Sequence, residues 1–237
     1  MTGPRQFPLD LGHREARGRE DFLVAPCNED AVAWIDRWPD WPGRILALHG
    51  PRACGKSHLA EVWRATSGAT VVAADTLTAG TVPPAAGSLA IEDADTTVDE
   101  RALLHTLNAV REAGGSILLT GKTPPAQWRV GLPDLDSRLR AANTCGIGAP
   151  DDALLAAVLV KLFAERQITV AEAVILYLLP RIERSFDAAR ACVAALDRHA
   201  LQAGRAVTVP LVRDVLGPDM RPATPPGAGR GAVAPSG

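Results

Sequence analysis

Short apolar runs punctuate the first two thirds of the chain: Ile45–Leu48, Ala69–Ala73, Ser88–Ile91, Ser116–Leu119 and Thr144–Ile147. Between them lie segments whose apolar residues recur at helical spacing. Strands separated by helices predict an α/β fold with a mainly parallel, five-stranded sheet. After Pro150 the strand pattern stops. Leu154, Leu155, Val158, Leu159, Leu162 and Phe163 fall on one face of a helix. Thr169-Val170-Ala171-Glu172 reads as a capping box opening a second helix that stops near Pro180. A third helix runs from a Ser185 cap through Phe186, Ala189, Val193 and Leu196 to Gly204, and a fourth spans Thr208–Leu216 with Gly217 beyond its end. These four helices predict a small all-α lid after the sheet.

The two ends read differently. Residues 1–20 are rich in Arg, Gly and Pro around one apolar island, Gln6-Phe7-Pro8-Leu9-Asp10-Leu11, and residues 218–237 are mostly Pro, Gly and Ala. Such compositions bury too little surface to offset the entropy of ordering. The expected organisation is a flexible arm (1–20), an α/β domain (21–149), a helical lid domain (150–217) and a disordered tail (218–237).

Composition narrows the function. The formal net charge of −2 and the lack of a long Lys/Arg cluster argue against strong direct DNA binding. Cys27, Cys54, Cys145 and Cys192 show no C-x-x-C spacing, so they read as small hydrophobes rather than as a metal or disulfide framework. The first thirty residues hold no signal-peptide core, and no run approaches a membrane span, so the expected location is cytoplasmic with no membrane partner.

One segment carries specific chemistry. Gly50-Pro51-Arg52-Ala53-Cys54-Gly55-Lys56-Ser57 matches G-x-x-x-x-G-K-[ST] and sits between a predicted strand and a predicted helix, His58–Ala65. Glycines let successive N–H groups turn toward phosphates, Lys56 brings a cation to the β and γ oxygens, and the Ser57 hydroxyl can ligate Mg²⁺. The helix behind adds the positive end of its dipole, starting at His58. A phosphate loop of this kind needs an acidic group at the end of a neighbouring strand, and Leu89-Ala90-Ile91 ends in Glu92-Asp93. ADP or ATP with Mg²⁺ is the expected ligand.

The order of these parts resembles the DnaA-type branch of the AAA+ proteins over Phe22 to Gly217. The likeness rests on Leu48 to Leu59, on Ile117-Leu118-Leu119-Thr120 with Pro124-Pro125, which resembles the sensor I strand, and on Asp134-Leu135-Asp136-Ser137-Arg138-Leu139, which resembles box VII. The resemblance implies that Arg138 is an arginine finger acting in the nucleotide site of an adjacent subunit. It implies that Phe22, Leu23 and Val24 lie where the family contacts adenine. It places Asp187 where the sensor II arginine is expected, with Arg184 and Arg190 one turn to either side and Arg190 preferred. The sensor I position falls near Gly121-Lys122, where the family has a polar pair. With these departures, and Glu rather than Asp at position 92, the expectation is firm nucleotide binding with weak or no intrinsic ATPase activity.

The chain shows no basic helix-turn-helix domain after Gly217, so within the branch it resembles the Hda-like regulators. That resemblance implies docking of Gln6, Phe7, Leu9 and Leu11 on the sliding clamp (the polymerase β subunit), contact with DnaA, and negative regulation of replication initiation by promoting hydrolysis of DnaA-bound ATP. A homodimer stays open. Two other classes remain as alternatives: a helicase loader or initiator-like ATPase acting directly on DNA, and a P-loop kinase of a small metabolite. Trp34, Trp38 and Trp41 are read as packing at the edge of the α/β domain.

Overall fold

The computed structural model describes residues 22–78, 87–96 and 99–217. The clamp-peptide residues Gln6, Phe7, Leu9 and Leu11 and the tail 218–237 lie outside them. The elements run α1 (Glu29–Asp36), β1 (Ile45–His49), α2 (Lys56–Ser67), β2 (Thr70–Ala73), β3 (Leu89–Glu92), α3 (Glu100–Glu112), β4 (Ile117–Gly121), α4 (Pro133–Arg140), β5 (Asn143–Gly146), α5 (Asp152–Glu165), α6 (Glu172–Leu178), α7 (Phe186–Ala203) and α8 (Val209–Leu216).

The strands form one sheet in the order β2-β3-β4-β1-β5, with every neighbouring pair parallel. Burial follows that order. β4, in the middle, is buried at all of its positions, whereas β2, at the edge, is not. The alternation of side chains splits the core into two layers. Leu46 and Leu48 pack with Leu59, Val62 and Trp63 of α2 on one face, while Ala47, Ile117 and Leu119 pack with Leu103, Leu107, Leu135 and Leu139 of α3 and α4 on the other.

Trp63 is fully buried and stacks on Trp41, with ring centroids 5.2 Å apart, while Trp38 meets it edge-on at 6.4 Å. The tryptophans before β1 therefore pack against the rear of α2 as the sequence reading expected. Cys54, Cys145 and Cys192 are buried and Cys27 is partly exposed; all four are free. Burial raises the Cys192 thiol to about 11, which keeps it protonated and unreactive at neutral pH.

Helices α5–α8 bury a cluster of their own, led by Leu155, Leu159, Phe163, Leu178, Val193, Leu196 and Val212. The expected Ser185 cap forms, its Oγ accepting from Ala188 N at 3.2 Å, and the structure adds a cap at Asp151, which accepts from Leu154 N at 2.7 Å. The capping box at Thr169 does not form. α6 begins at Glu172 with Ala171 in the cap position and no side-chain cap bond. Glu172 is thus the first helical residue rather than the third, so its carboxylate faces the helix dipole instead of reaching back to a cap.

Candidate functional site

The site is built at the C-terminal edge of the sheet, where β1 passes into α2. Gly50 has no room for a side chain, because a Cβ there would lie 2.1 Å from the Ile147 carbonyl oxygen. Its N–H donates to Gly121 O at 3.2 Å, and Ile147 N donates to His49 O at 2.7 Å, so the ends of β4, β1 and β5 are stitched together beneath the loop. Gly55 precedes α2 with φ of 107°, a left-handed conformation that glycine adopts without strain.

Lys56 is 8% exposed, and its Nζ donates to Gly50 O (2.9 Å), Pro51 O (2.8 Å) and Cys54 Sγ (3.7 Å). The ammonium is therefore folded onto the loop, surrounded by carbonyls that anionic oxygens would replace. Its charge, together with burial as the larger cause, holds the His49 imidazole below its ordinary value. Ser57 is exposed at the start of α2, with its hydroxyl free to reach a ligand over the loop.

The acidic pair separates. Glu92 is the last residue of β3, and its Oε1 is buried with no hydrogen-bond partner. A buried carboxylate oxygen without a partner calls for a cation or a water. Asp93 lies beyond the strand in a left-handed turn (φ 53°), exposed, its N–H donating to Thr120 Oγ1 at 3.2 Å. Among the described residues no group of three or more His, Cys, Asp or Glu side chains could hold a metal ion by itself. That suits Mg²⁺, which binds through one or two protein oxygens and keeps phosphates and waters for the rest. The orphaned Glu92 Oε1 fits such a site, and Ser57 and Asp93 are the further oxygens that would be available to it.

Arg138 sits away from the loop on α4, which is anchored by buried Leu135 and Leu139. Its Nε and Nη2 both lie 3.4 Å from Asp134 Oδ2, and Asp134 is largely exposed. The loop that launches α4 is fixed by Glu100, whose carboxylate accepts from Gly131 N (2.9 Å) and Leu132 N (2.8 Å).

In fold, the chain is similar to domain III of the Thermotoga maritima replication initiation protein DnaA (TM-score 0.71, 17% identity), covering 85% of this chain and 98% of that one. Residues 152–216 match the family described as the Hda lid domain. The chain thus joins a sheet domain with the fold of DnaA's domain III to a segment that matches the Hda lid. AMPPCP-bound DnaA from Aquifex aeolicus is also similar (TM-score 0.65, 16% identity, 81% of this chain and 68% of that one). So is the Thermotoga maritima RuvB Holliday junction branch migration motor (TM-score 0.60, 14% identity), of which the chain spans 61% while 73% of its own length is covered.

Within the segment matched to the Hda lid, both candidate sensor arginines are engaged in ion pairs. Arg190 Nη1 pairs with Asp187 at 3.2 Å, and Arg184 Nη2 pairs with Asp152 at 3.0 Å. Phe186 of the lid touches the phosphate loop, its N–H donating to Ala53 O at 3.1 Å. On the other side of the loop Phe22 is buried and meets the His58 ring edge-on at 5.1 Å, with Leu23 held through its carbonyl by the Asn28 amide. Two positioning residues escaped the sequence reading. Asp95 Oδ2 accepts from Lys122 N at 2.6 Å, filling the space beside the side-chain-less Gly121, and Glu100 holds α4; both contacts span about thirty residues and have no local pattern.

Proposed function

We propose that this chain is an Hda-like negative regulator of replication initiation, with residues 22–149 as a nucleotide-binding AAA+ domain and 150–217 as its lid. The match of residues 152–216 to the Hda lid, set beside an intact phosphate loop, carries this reading.

In this account ADP or ATP binds with its phosphates over Gly50–Ser57. Lys56 would exchange the Gly50 and Pro51 carbonyls for phosphate oxygens, Ser57 and Glu92 would hold Mg²⁺, and Arg190 is the lid arginine able to swing in from its surface pair with Asp187. Bound Mg²⁺ supplies charge neutralisation at the β and γ oxygens. Gly121 and the exposed Lys122 offer no acceptor for an attacking water from the end of β4, which favours weak intrinsic hydrolysis. The nucleotide then serves to fix the relation of lid to core.

The chemical work falls to Arg138 in a partner's site. Releasing it costs little, since an exposed ion pair of this length contributes at most about 1 kcal/mol. The guanidinium can then reach the ATP of an adjoining DnaA and stabilise charge as the terminal phosphoryl leaves. Gln6, Phe7, Leu9 and Leu11 would tether the protein to a sliding clamp in the cytoplasm, bringing it to DnaA on newly copied DNA. Hydrolysis of DnaA-bound ATP in the presence of loaded clamp tests this: deleting residues 6–11 should cut the stimulation at limiting protein and leave it intact at saturating protein. Equal stimulation at every concentration would remove the clamp from the account.

A further inference from the structure

The lid carries an open apolar groove outside its core. Ala156, Val160 and Ala164 of α5 form one wall, and Ile175 and Leu176 of α6 with Leu179 just beyond it form the other, around a volume of about 700 Å³. Val160 is 52% exposed and Leu176 59%, although the helices that carry them are buried on their other faces. Gln167 and Thr169, in the turn between the helices, make one end of the groove polar. Large apolar side chains left in water on two facing walls mark a surface that another segment covers.

The chain itself holds a segment of matching chemistry and length, Gln6-Phe7-Pro8-Leu9-Asp10-Leu11, which lies outside the described residues. In an extended conformation Phe7, Leu9 and Leu11 would project to one side, with Pro8 and Asp10 on the other. From Phe7 to Leu11 such a strand spans about 13 Å, and from Ala156 to Ala164 the helix α5 runs about 12 Å. Laid with Leu11 at Ala156 and Phe7 at Ala164, the segment would set its three apolar side chains against Val160 and Leu176. The Gln6 amide would then meet Gln167 and Thr169, and Asp10 would face water.

The point of attachment permits this. The rings of Phe22 and Phe186 both lie against Gly55, at 3.6 and 3.3 Å from where a Cβ would stand. Arg184, two residues before Phe186, pairs with Asp152 at the start of α5 (3.0 Å). The chain preceding Phe22 is thus rooted on the side of the lid where α5, and with it the groove, begins. Residues 12–21 span up to about 35 Å when extended, and Ala156 lies only one turn into α5. A tether of this length gives the segment an effective concentration on the order of millimolar, which a second copy at ordinary concentrations does not match.

We propose that the groove between α5 and α6 is the resting seat of residues 6–11 of the same chain, so that this segment is covered by the lid until a sliding clamp draws it out. The seat is argued from the groove, and its competition with a clamp rests on the clamp reading above. While the segment is seated, the apparent affinity for a clamp falls in proportion to the fraction of chains in which it is free.

Photocross-linking of the full chain with p-benzoylphenylalanine in place of Phe7, read by mass spectrometry, tests the seat. Cross-links should fall on α5 and α6 within one chain, drop several-fold in the Val160→Ser, Leu176→Ser double variant, and decline when clamp is added. Both substituted side chains are exposed, so the double variant should melt as wild type. It should also bind clamp about three- to tenfold more tightly than wild type does. Cross-links that avoid the groove, or that join two chains, would overturn the proposal. Clamp binding of equal strength to wild type and the double variant would overturn it too. A clamp that binds neither chain, with the cross-links in the groove still present, would remove the clamp reading and leave the seat standing.

Discussion

The phosphate loop and the box VII helix are built in opposite ways. At the loop, Lys56 is buried and hydrogen-bonded three times over, Gly50 is locked under Ile147, and Trp63 fills the space behind α2. On α4, the leucines are buried while Arg138 is half-buried, restrained by one long pairing with an exposed aspartate. Both regions carry a cation suited to phosphate. In the proposed function, one cation is set into the structure to hold a ligand, and the other stands on a helix to meet the nucleotide of a partner.

Mutations can break this contrast. The largest effect at the holding end is expected from Lys56→Ala, which should weaken ADP binding about 10- to 100-fold, since it removes hydrogen bonds from a charged donor. Equilibrium titration checks this. The same variant should still stimulate DnaA at saturating nucleotide, where mass action restores the bound form.

A smaller effect is expected at the reaching end. Asp134→Asn removes the negative partner of Arg138 and should change stability by less than about 1 kcal/mol by urea denaturation. Stimulation of DnaA should be equal to wild type or modestly higher. A variant that folds normally but fails to stimulate would mean that Asp134 positions the arginine, so that the reach is not free.

The smallest effect concerns His49, beside the loop. Its folded-state value is lowered from 6.5, by burial first and Lys56 second. The unfolded chain therefore takes up the proton at a higher pH than the folded one. Stability from this residue is complete above about pH 6.5 and declines as pH falls below that value toward the lowered one. His49→Gln should flatten this part of the curve when urea midpoints are compared between about pH 7.5 and about pH 5.5. A wild-type midpoint that rises on acidification through this range, and a variant that does not, would reverse the sign.

The contrast between the two regions was only half visible in the sequence. The loop was legible because its motif is local and its flanking runs, Ile45–Leu48 and the apolar face of α2, show their periods within a few residues. The five strands and four lid helices were legible for the same reason. What escaped depends on contacts between distant segments: Glu100 holding Gly131 and Leu132, Asp95 capping Lys122, and Phe186 resting on Gly55. The Thr169 capping box failed for another reason. Its residue types fit, yet the helix started two residues later than a Thr169 cap requires, at Glu172, where packing of Val174, Ile175 and Leu178 sets the register. For the lid, aligned spacing drew attention to arginines, and the bond of Phe186 N–H to Ala53 O carried no such local signal.

The division of labour between the two cations is tested most directly by DnaA-bound ATP hydrolysis with loaded clamp, comparing wild type with Arg138→Ala at matched nucleotide occupancy. The account predicts that Arg138→Ala loses stimulation by a factor on the order of 10³ while binding ADP as wild type does. Stimulation by Arg138→Ala equal to that of wild type would contradict it.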